Sequence, residues 1–308
     1  MSLGLAALDL ILRLREKPYL ARAADFPQAR ARMEREAARL GPLPPGLRET
    51  TLSGRPALRL DPPPKGPTLL WLHGGAYCLG SPRTHARMAA ALARQSGAGL
   101  VLPDYRLAPE HPFPAAHDDA CAAWEALAAE TPPDRIALGG DSAGGGLAFA
   151  LLHHLLARGA ALPAGLVAFS PWTDLTGRAA SLRVLARRDA LLPAARFDEI
   201  RTLYLGGADP RDPRASPRFG DYRGAPPVLI QSSRAEILRD DARAMAARLR
   251  AQGVLVRHDE WRLTPHVWQI YAGLLPEADQ ALDAASAFLR ARLDNRTATS
   301  VAAPQSPA

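Results

Sequence analysis

Residues Gly140 to Gly144 carry the clearest signal for chemistry in the chain, because they read Gly-Asp-Ser-Ala-Gly, a Gly-x-Ser-x-Gly motif. An apolar run (Ile136-Ala137-Leu138) precedes the motif and a helix-forming stretch follows it. This context predicts a sharp strand-to-helix turn that presents the oxygen of Ser142 at the end of a sheet. A Cβ atom at Gly140 or Gly144 would collide with neighbouring backbone, and the following helix would direct its amide dipoles at a developing oxyanion. We therefore predict a nucleophilic Ser142, the alternative being an ordinary glycine-rich turn.

A serine hydroxyl is a poor nucleophile, so Ser142 needs a base, and the base needs a carboxylate to orient it. Behind a turn of this kind the chain order is serine, acid, histidine. His266 lies in a predicted loop between the last strand and the C-terminal helix, which is where such a base is required. His258 falls inside the last predicted strand, and His153 and His154 lie too far along the helix after Ser142. His266 is the predicted base.

The acid is expected in the loop after the preceding strand, where residues 233–241 offer three carboxylates. Glu236 comes first, at the carboxyl end of the strand. Asp240 and Asp241 open the next helix, where N-capping and a favourable interaction with the helix dipole are their expected roles. We predict Glu236 as the acid and keep Asp240 and Asp241 as alternatives.

A glycine-rich turn, His73-Gly74-Gly75-Ala76-Tyr77, ends the first strand of the predicted core. Its backbone amides, together with the amide of Ala143, are candidates for holding an oxyanion. The alternatives are a simple glycine loop or a phosphate cradle. A cradle is disfavoured because the turn lacks a Gly-Lys-Ser/Thr sequence and an acidic residue placed for a ribose.

Apolar strands that alternate with helices predict a mostly parallel sheet covered on both faces, an α/β fold. An antiparallel hairpin is predicted around residues 47–60, and core strands at residues 69–72, 100–102, 135–138, 165–169, 228–231 and 254–258. Predicted helices cover residues 84–95, 116–129, 143–158, 239–251 and 267–292, and two more fill residues 1–40 with a break near Lys17-Pro18. The alternation of strands and helices stops between Asp174 and Arg223, as expected for an inserted lid.

Composition limits the classes of partner. The 308 residues carry a net charge of +7, but the arginines are scattered among acids and only Lys17 and Lys65 are lysines, so no nucleic-acid partner is expected. Two cysteines, Cys78 and Cys121, provide neither a disulfide framework nor a Cys-x-x-Cys pair, so we expect a cytoplasmic protein without a metal site. Residues 1–14 contain Asp9 and have helical apolar spacing, which favours an amphipathic helix over a signal peptide, and no stretch is apolar enough to span a membrane.

Taken together, these motifs resemble those of bacterial carboxylesterases of the hormone-sensitive-lipase-like family of α/β-hydrolases. The resemblance covers about residues 69–268 and is carried by residues 73–77, 104–115 (Asp-Tyr-Arg-Leu-Ala-Pro-Glu-His-Pro-Phe-Pro-Ala), 140–145, 170–175 (Ser-Pro-Trp-Thr-Asp-Leu) and 215–217. It implies an eight-stranded sheet with a helical cap built from the N-terminus and the segment after Trp172. It also implies an oxyanion hole formed by the amides of Gly75, Ala76 and Ala143, with His73 and Gly74 supporting the loop.

Two departures from the family pattern affect these expectations. Ala76 replaces the third glycine of the family's His-Gly-Gly-Gly, which requires the backbone there to avoid positive φ. Glu236 stands where aspartate is common, so its loop must lie slightly further back. Arg106, Glu110, His111 and Asp118 are residue types that could form a second site, but the family resemblance implies that they form a buried polar network that braces the oxyanion loop.

The sequence therefore predicts a serine carboxylesterase with a Ser142-His266-Glu236 triad, without cofactors, acting on short- to medium-chain esters. Lactone or amide hydrolysis on the same triad and a non-catalytic receptor of the same fold are the alternatives. A homodimer is left open. The expected units are cap helices (1–45), catalytic core (46–174 and 223–294), inserted cap (175–222) and disordered tail (295–308), and the expected pocket residues are Tyr77, Trp172, Leu205 and Val267.

Overall fold

The computed structural model describes residues 2–39 and 41–294, and eight strands form a single sheet within them. The strands are β1 (Leu47–Leu52), β2 (Arg55–Leu60), β3 (Thr68–Leu72), β4 (Gly99–Pro103), β5 (Ile136–Asp141), β6 (Gly165–Phe169), β7 (Val228–Ser233) and β8 (Val256–Trp261). Their spatial order is β1-β2-β4-β3-β5-β6-β7-β8, with antiparallel pairing only at the β1–β2 and β2–β4 contacts. This confirms the predicted eight-stranded, mostly parallel sheet.

Helices cover both faces of the sheet, because its central strands are apolar on both sides. The helices are α1 (Leu3–Ile11), α2 (Lys17–Arg22), α3 (Phe26–Arg39), α4 (Pro82–Gln95), α5 (Ala115–Glu130), α6 (Ser142–Ala157), α7 (Ser181–Val184), α8 (Phe197–Leu205), α9 (Arg239–Ala251) and α10 (Pro276–Leu293). Along β3, Leu69 and Trp71 pack with the face that α4 and α10 cover. Leu70 and Leu72 pack with the face covered by α5, α6 and α9.

Two predicted helix boundaries are wrong. The last helix begins at Pro276 instead of residue 267, because Gly273 has a φ of 80° and Leu275 before the proline is extended, while proline fits a first helical turn. The N-terminal helix runs through Lys17-Pro18 to Arg22. A π-helical turn (Leu12–Glu16) precedes Lys17, and this wider turn accommodates Pro18 in the first turn of α2, where its missing N–H is least costly.

The two segments predicted to form the cap lie against each other. Lys17 Nζ donates to the carbonyl oxygens of Ala186 and Asp189, each at 2.6 Å, and Arg13 donates to those of Arg187 and Arg188. The predicted unit boundaries remain predictions, and the predicted tail of residues 295–308 lies outside the described residues. None of the helices in residues 2–39 and 41–294 has both the length and the apolar character needed to cross a bilayer.

Candidate active site

Ser142 lies between β5 and α6 in a strained backbone conformation, with a φ of 53°. A Cβ atom on Gly140 would stand 2.3 Å from the carbonyl oxygen of Gly144, and one on Gly144 would stand 2.0 Å from that of Leu72. These distances confirm the predicted steric reason for both glycines. The turn therefore holds the serine hydroxyl at the carboxyl edge of the sheet and at the amino end of α6, where the helix dipole favours negative charge.

His266 connects Ser142 to Glu236 by two short contacts. Its Nε2 lies 2.9 Å from Ser142 Oγ, and its Nδ1 lies 2.5 Å from Glu236 Oε2. The other carboxylate oxygen of Glu236 accepts from the amide of Ser233 at 2.6 Å, which fixes the orientation of the acid. All three side chains are buried, Ser142 being 8 % exposed. The structure thus brings together the three residues that the sequence singled out.

The environment of His266 favours its charged form. Burial alone would lower the pKa of the imidazole, but the hydrogen bond and negative charge of Glu236 outweigh burial and raise the pKa above 6.5. Asp189 and Asp141 add to the increase. An imidazole in this setting can accept a proton from the serine hydroxyl and be stabilised as the imidazolium.

Asp240 and Asp241, the alternatives for the acid, make other contacts, and their predicted N-capping role is wrong. The Asp241 carboxylate accepts from the backbone amides of Thr173 and Asp174, at 3.1 and 2.9 Å. Asp240 Oδ2 accepts from the amide of Ser181 at 2.8 Å. The backbone at the start of α9 lies against the segment that follows Trp172, so both carboxylates fix this segment to the core instead of capping their own helix.

Asp189, which sequence reasoning missed, holds the loop that carries the acid. This buried carboxylate accepts from the amides of Leu191 and Leu192, and also from the amide of Ile237 at 2.8 Å, directly after Glu236. Its partner in the core lies 48 residues further along the chain. No local pattern in the sequence marks such a contact, since it forms only when the inserted segment folds over the core.

The candidate oxyanion loop has three successive residues with positive φ. Gly75 has a φ of 124°, Ala76 of 55° and Tyr77 of 60°, so the expectation that Ala76 avoids positive φ is wrong. Alanine in this region costs about 1–2 kcal/mol, and the loop tolerates it because the Gly75 carbonyl accepts from the amides of Cys78 and Leu79. A Cβ atom at Gly75 would meet the Leu79 carbonyl oxygen at 2.1 Å, so glycine is required there.

His73 and Gly74 are packed tightly beneath this loop. His73 Nδ1 lies 2.8 Å from the Gly74 carbonyl oxygen, and its ring stacks on that of Tyr105 at 4.2 Å between centroids. Tyr105 Oη donates to the His73 carbonyl at 2.6 Å. Burial, with a contribution from His85, lowers the pKa of His73 to about 3, so the ring is neutral and acts as packing and as a hydrogen-bond partner.

A buried ion pair that the sequence reasoning did not identify lies under the turn at Ser142. The carboxylate of Asp141 lies 3.2 Å from His85 Nε2 of α4 and accepts from Trp71 Nε1 at 3.1 Å. Burial alone would raise the pKa of Asp141, but His85 outweighs this and lowers it. A Cβ atom on Gly74 would stand 2.2 Å from Asp141 Oδ2. The pair therefore fixes both the serine turn and the oxyanion loop.

The expected buried network around Arg106 is different in the structure. Arg106 pairs with Asp119, not Asp118, at 2.8 Å, and Glu110 pairs with Arg30 of α3 at the surface. His111 is exposed. Arg30, Arg106, Glu110 and His111 line a surface cleft of about 330 Å³ that none of the three triad candidates lines. Within residues 104–115, Tyr105 braces the oxyanion loop through the His73 carbonyl, and the amide of Ala108 donates to the Tyr77 carbonyl at 2.9 Å.

The pocket role of the four predicted residues stays a prediction. Three of them, Tyr77, Trp172 and Leu205, belong to the large buried cluster on one face of the sheet, where the Tyr77 ring lies 6.1 Å from that of Trp172 and stacks on Tyr204 at 3.8 Å. The position of Val267 does not support its predicted place in this pocket, because its side chain packs into the cluster on the other face of the sheet. Tyr204 belongs to the inserted segment that was expected to form the lid.

Comparisons with known proteins agree with this geometry. Residues 69–270 match the family model described as the alpha/beta hydrolase fold. An acetyl-hydrolase of Streptomyces hygroscopicus is 46 % identical over 226 residues, covering 73 % of this chain and 76 % of the relative. An esterase from the bacterial hormone-sensitive lipase family superposes with a TM-score of 0.87 at 39 % identity, covering 95 % of this chain and 99 % of the other. The esterase EstE5, soaked with p-nitrophenyl butyrate, gives a TM-score of 0.89 at 34 % identity, with 96 % and 100 % covered.

Proposed function

The chain belongs to the α/β-hydrolase-fold family, among the esterases of the hormone-sensitive-lipase type, and from that premise we propose that Ser142, His266 and Glu236 form its catalytic triad. A carboxylic ester hydrolase is an enzyme, so the receptor alternative is set aside. The observation that carries the triad is the pair of contacts made by His266, 2.9 Å to Ser142 and 2.5 Å to Glu236.

In the proposed mechanism, Ser142 Oγ attacks the ester carbonyl carbon while its proton passes to His266 Nε2. Glu236 stabilises the imidazolium that forms. The amides of Gly75, Ala76 and Ala143 donate to the oxyanion, and the amino end of α6 contributes its dipole. His266 then protonates the leaving alcohol, and a water molecule activated by the same imidazole hydrolyses the acyl-serine.

Replacement of Ser142 tests this proposal. Ser142→Ala removes the nucleophile, so hydrolysis of a soluble p-nitrophenyl ester is expected to fall roughly 10⁴–10⁶-fold. The serine hydroxyl contributes little packing, so the melting temperature is expected to stay close to that of the wild type. A purified, folded Ser142→Ala enzyme with near-wild-type turnover would overturn the mechanism.

We also propose that the substrates are esters with short to medium acyl chains, about two to eight carbons, the range suggested by the family resemblance. Tyr204 of the inserted segment stacks on Tyr77 of the candidate oxyanion loop, and Asp189 of the same segment accepts from the loop that carries Glu236, which supports a finite pocket roofed by this segment. A finite apolar pocket gains about 0.8 kcal/mol for each added methylene until it is full. The soaked butyrate ester of EstE5 and the acetyl ester implied by the name of the Streptomyces relative both fall in this range.

A series of p-nitrophenyl esters from two to sixteen carbons tests the chain-length proposal. We expect kcat/KM to rise with acyl length, pass through a maximum and then fall, without a jump in rate above the solubility limit of the substrate. A preference for emulsified long-chain esters with such a jump would contradict it. A lactone and an anilide of matched acyl length in the same panel test the other two reaction types.

A further inference from the structure

Three side chains with metal-binding atoms meet on the side of the molecule formed by α5 and α6. His117 and Cys121 lie one turn apart on α5, and His154 projects from α6. One ligand atom from each lies within 4.8 Å of the others. The expectation of no metal site considered only paired cysteines and did not bring residues from two helices together.

The spacing of these atoms is close to that of a zinc site. Tetrahedral Zn²⁺ with bonds of about 2.3 Å to sulfur and about 2.0 Å to nitrogen separates its ligand atoms by roughly 3.3–3.6 Å. Cys121 Sγ lies 3.8 Å from His117 Nε2. Cys121 and His154 are only partly buried, so rotation of their side chains can shorten the remaining separations, and solvent can reach the group.

His117 provides a second, independent indication. Its side chain is buried, and a buried imidazole normally has hydrogen-bond partners at ordinary distance. Here Asp118 Oδ1 lies 3.6 Å from Nδ1, and Cys121 Sγ lies 3.8–3.9 Å from the two ring nitrogens. A histidine that binds a metal usually donates its other ring N–H to a carboxylate, and Asp118 is the carboxylate nearest Nδ1, although 3.6 Å is longer than a hydrogen bond.

The charges around the group are balanced. The negative charges of Asp118 and Glu125 and the positive charge of Arg158 all interact with the Cys121 thiol. Arg214 lies close enough to act on His117. A bound cation and a thiolate therefore add only one net positive charge to an almost neutral surrounding.

We propose that His117, Cys121 and His154 bind Zn²⁺ through two imidazole nitrogens and a thiolate, linking α5 to α6. The thiol proton is released to solvent on binding, and a water molecule completes the tetrahedron. At about 1.5 Å rise per residue, His154 lies roughly 18 Å along α6 from Ser142, so the ion takes no part in ester hydrolysis.

Metal binding by the full-length, chelator-treated protein at pH 7.5 tests the proposal. We expect one Zn²⁺ per chain after equilibrium dialysis, and a melting temperature raised by roughly 5 °C when zinc is about 100-fold above its Kd. Co²⁺ in place of Zn²⁺ should give the charge-transfer absorption of a thiolate ligand. Cys121→Ala should abolish this band, whereas Cys78→Ala, which removes the other thiol, should retain it.

A matched pair of histidine variants separates the site from surface binding. His154→Ala should weaken zinc binding at least about tenfold, since a ligand is lost, whereas His153→Ala should not, because His153 Nδ1 lies instead 3.2 Å from the Asp221 carbonyl oxygen. Cys121→Ser repeats the thiol test if Cys121→Ala fails to fold. Less than half a zinc per chain, or equal binding by the wild type, Cys121→Ser and His154→Ala, would mean an adventitious ion only and would overturn the proposal.

Discussion

The serine turn and the cap are held in place by different kinds of contact. At the turn, the backbone itself is the constraint, because Gly140 and Gly144 pack so closely that no Cβ atom fits. The cap depends on long side chains that reach backbone carbonyls, such as Lys17 at Ala186 and Arg196 at Leu20. The steric constraint leaves the backbone at Ser142 little freedom to move. The exposed and half-buried polar contacts leave the cap segments more freedom.

Because of this difference, we expect substitutions near Ser142 to affect the chemical step and substitutions in the cap to affect closure of the site. Removal of a group beside Ser142 changes a reacting atom or its partner. Removal of a cap contact changes how often the acid loop and the pocket are properly assembled. Asp189 connects the two regions, since it belongs to the inserted segment but accepts from the amide of Ile237, next to Glu236.

The largest effect in this comparison is expected from Glu236→Gln, which keeps the shape of the acid but loses its charge. Turnover should fall roughly 10³–10⁴-fold, because the amide cannot stabilise the imidazolium. Asp241→Asn is the matched control, and initial rates on a soluble ester are the measurement. Asp241 accepts from the amides of Thr173 and Asp174 and makes its contacts away from His266, so its charge is not expected to serve the reaction. Greater damage from Asp241→Asn or Asp240→Asn would show that the acid is misassigned.

Asp189→Asn should have an intermediate effect. The amide nitrogen would replace one acceptor oxygen and face a backbone N–H, so the acid loop would lose part of its anchor. We expect kcat to fall about tenfold, with a smaller change in KM. Asp198→Asn, at an exposed carboxylate of the same cap segment, should leave both constants unchanged. Identical kinetics for the two variants would show that Asp189 does not anchor the loop that carries Glu236.

The pH dependence of kcat/KM should reflect the raised pKa of His266. The expected effect on the rate near pH 7 is a few-fold. His266 must be neutral to accept the serine proton, so kcat/KM is lost as pH falls through its raised pKa, and the midpoint of the acid limb should lie above 6.5. In Glu236→Gln the largest contribution that raises the pKa of His266 disappears, while burial and the smaller contributions of Asp189 and Asp141 remain, so the residual activity should have a lower midpoint. A midpoint that does not move would contradict the assigned pair.

The smallest effect is expected in the cap. Lys17→Met removes two hydrogen bonds to the inserted segment and should lower the melting temperature by about 2–5 °C. Lys65, the only other lysine of the chain, is exposed, so Lys65→Met should change the melting temperature by less than about 1 °C. Calorimetry of the two variants against the wild type measures the contribution of the cap contact directly.

The same contrast decides how much the sequence could predict. The core strands were predictable because apolar runs such as Leu69–Leu72 are buried on both faces, and the triad candidates because each follows a strand end. The roles of Asp189 and Asp241 were not, because their partners are 48 and 68 residues away. The core cluster that Val267 joins was not predictable either, since a φ of 49° turns the chain directly after His266.

Labelling with a fluorophosphonate, which reacts covalently with an activated serine, identifies the nucleophile of the enzyme. We expect one adduct per wild-type chain, located at Ser142 by peptide mass spectrometry. Labelling should be much slower in Glu236→Gln, unchanged in Asp240→Asn and absent in Ser142→Ala. An adduct on another residue, or an adduct formed by Ser142→Ala at the wild-type rate, would contradict the claim that this serine is the nucleophile.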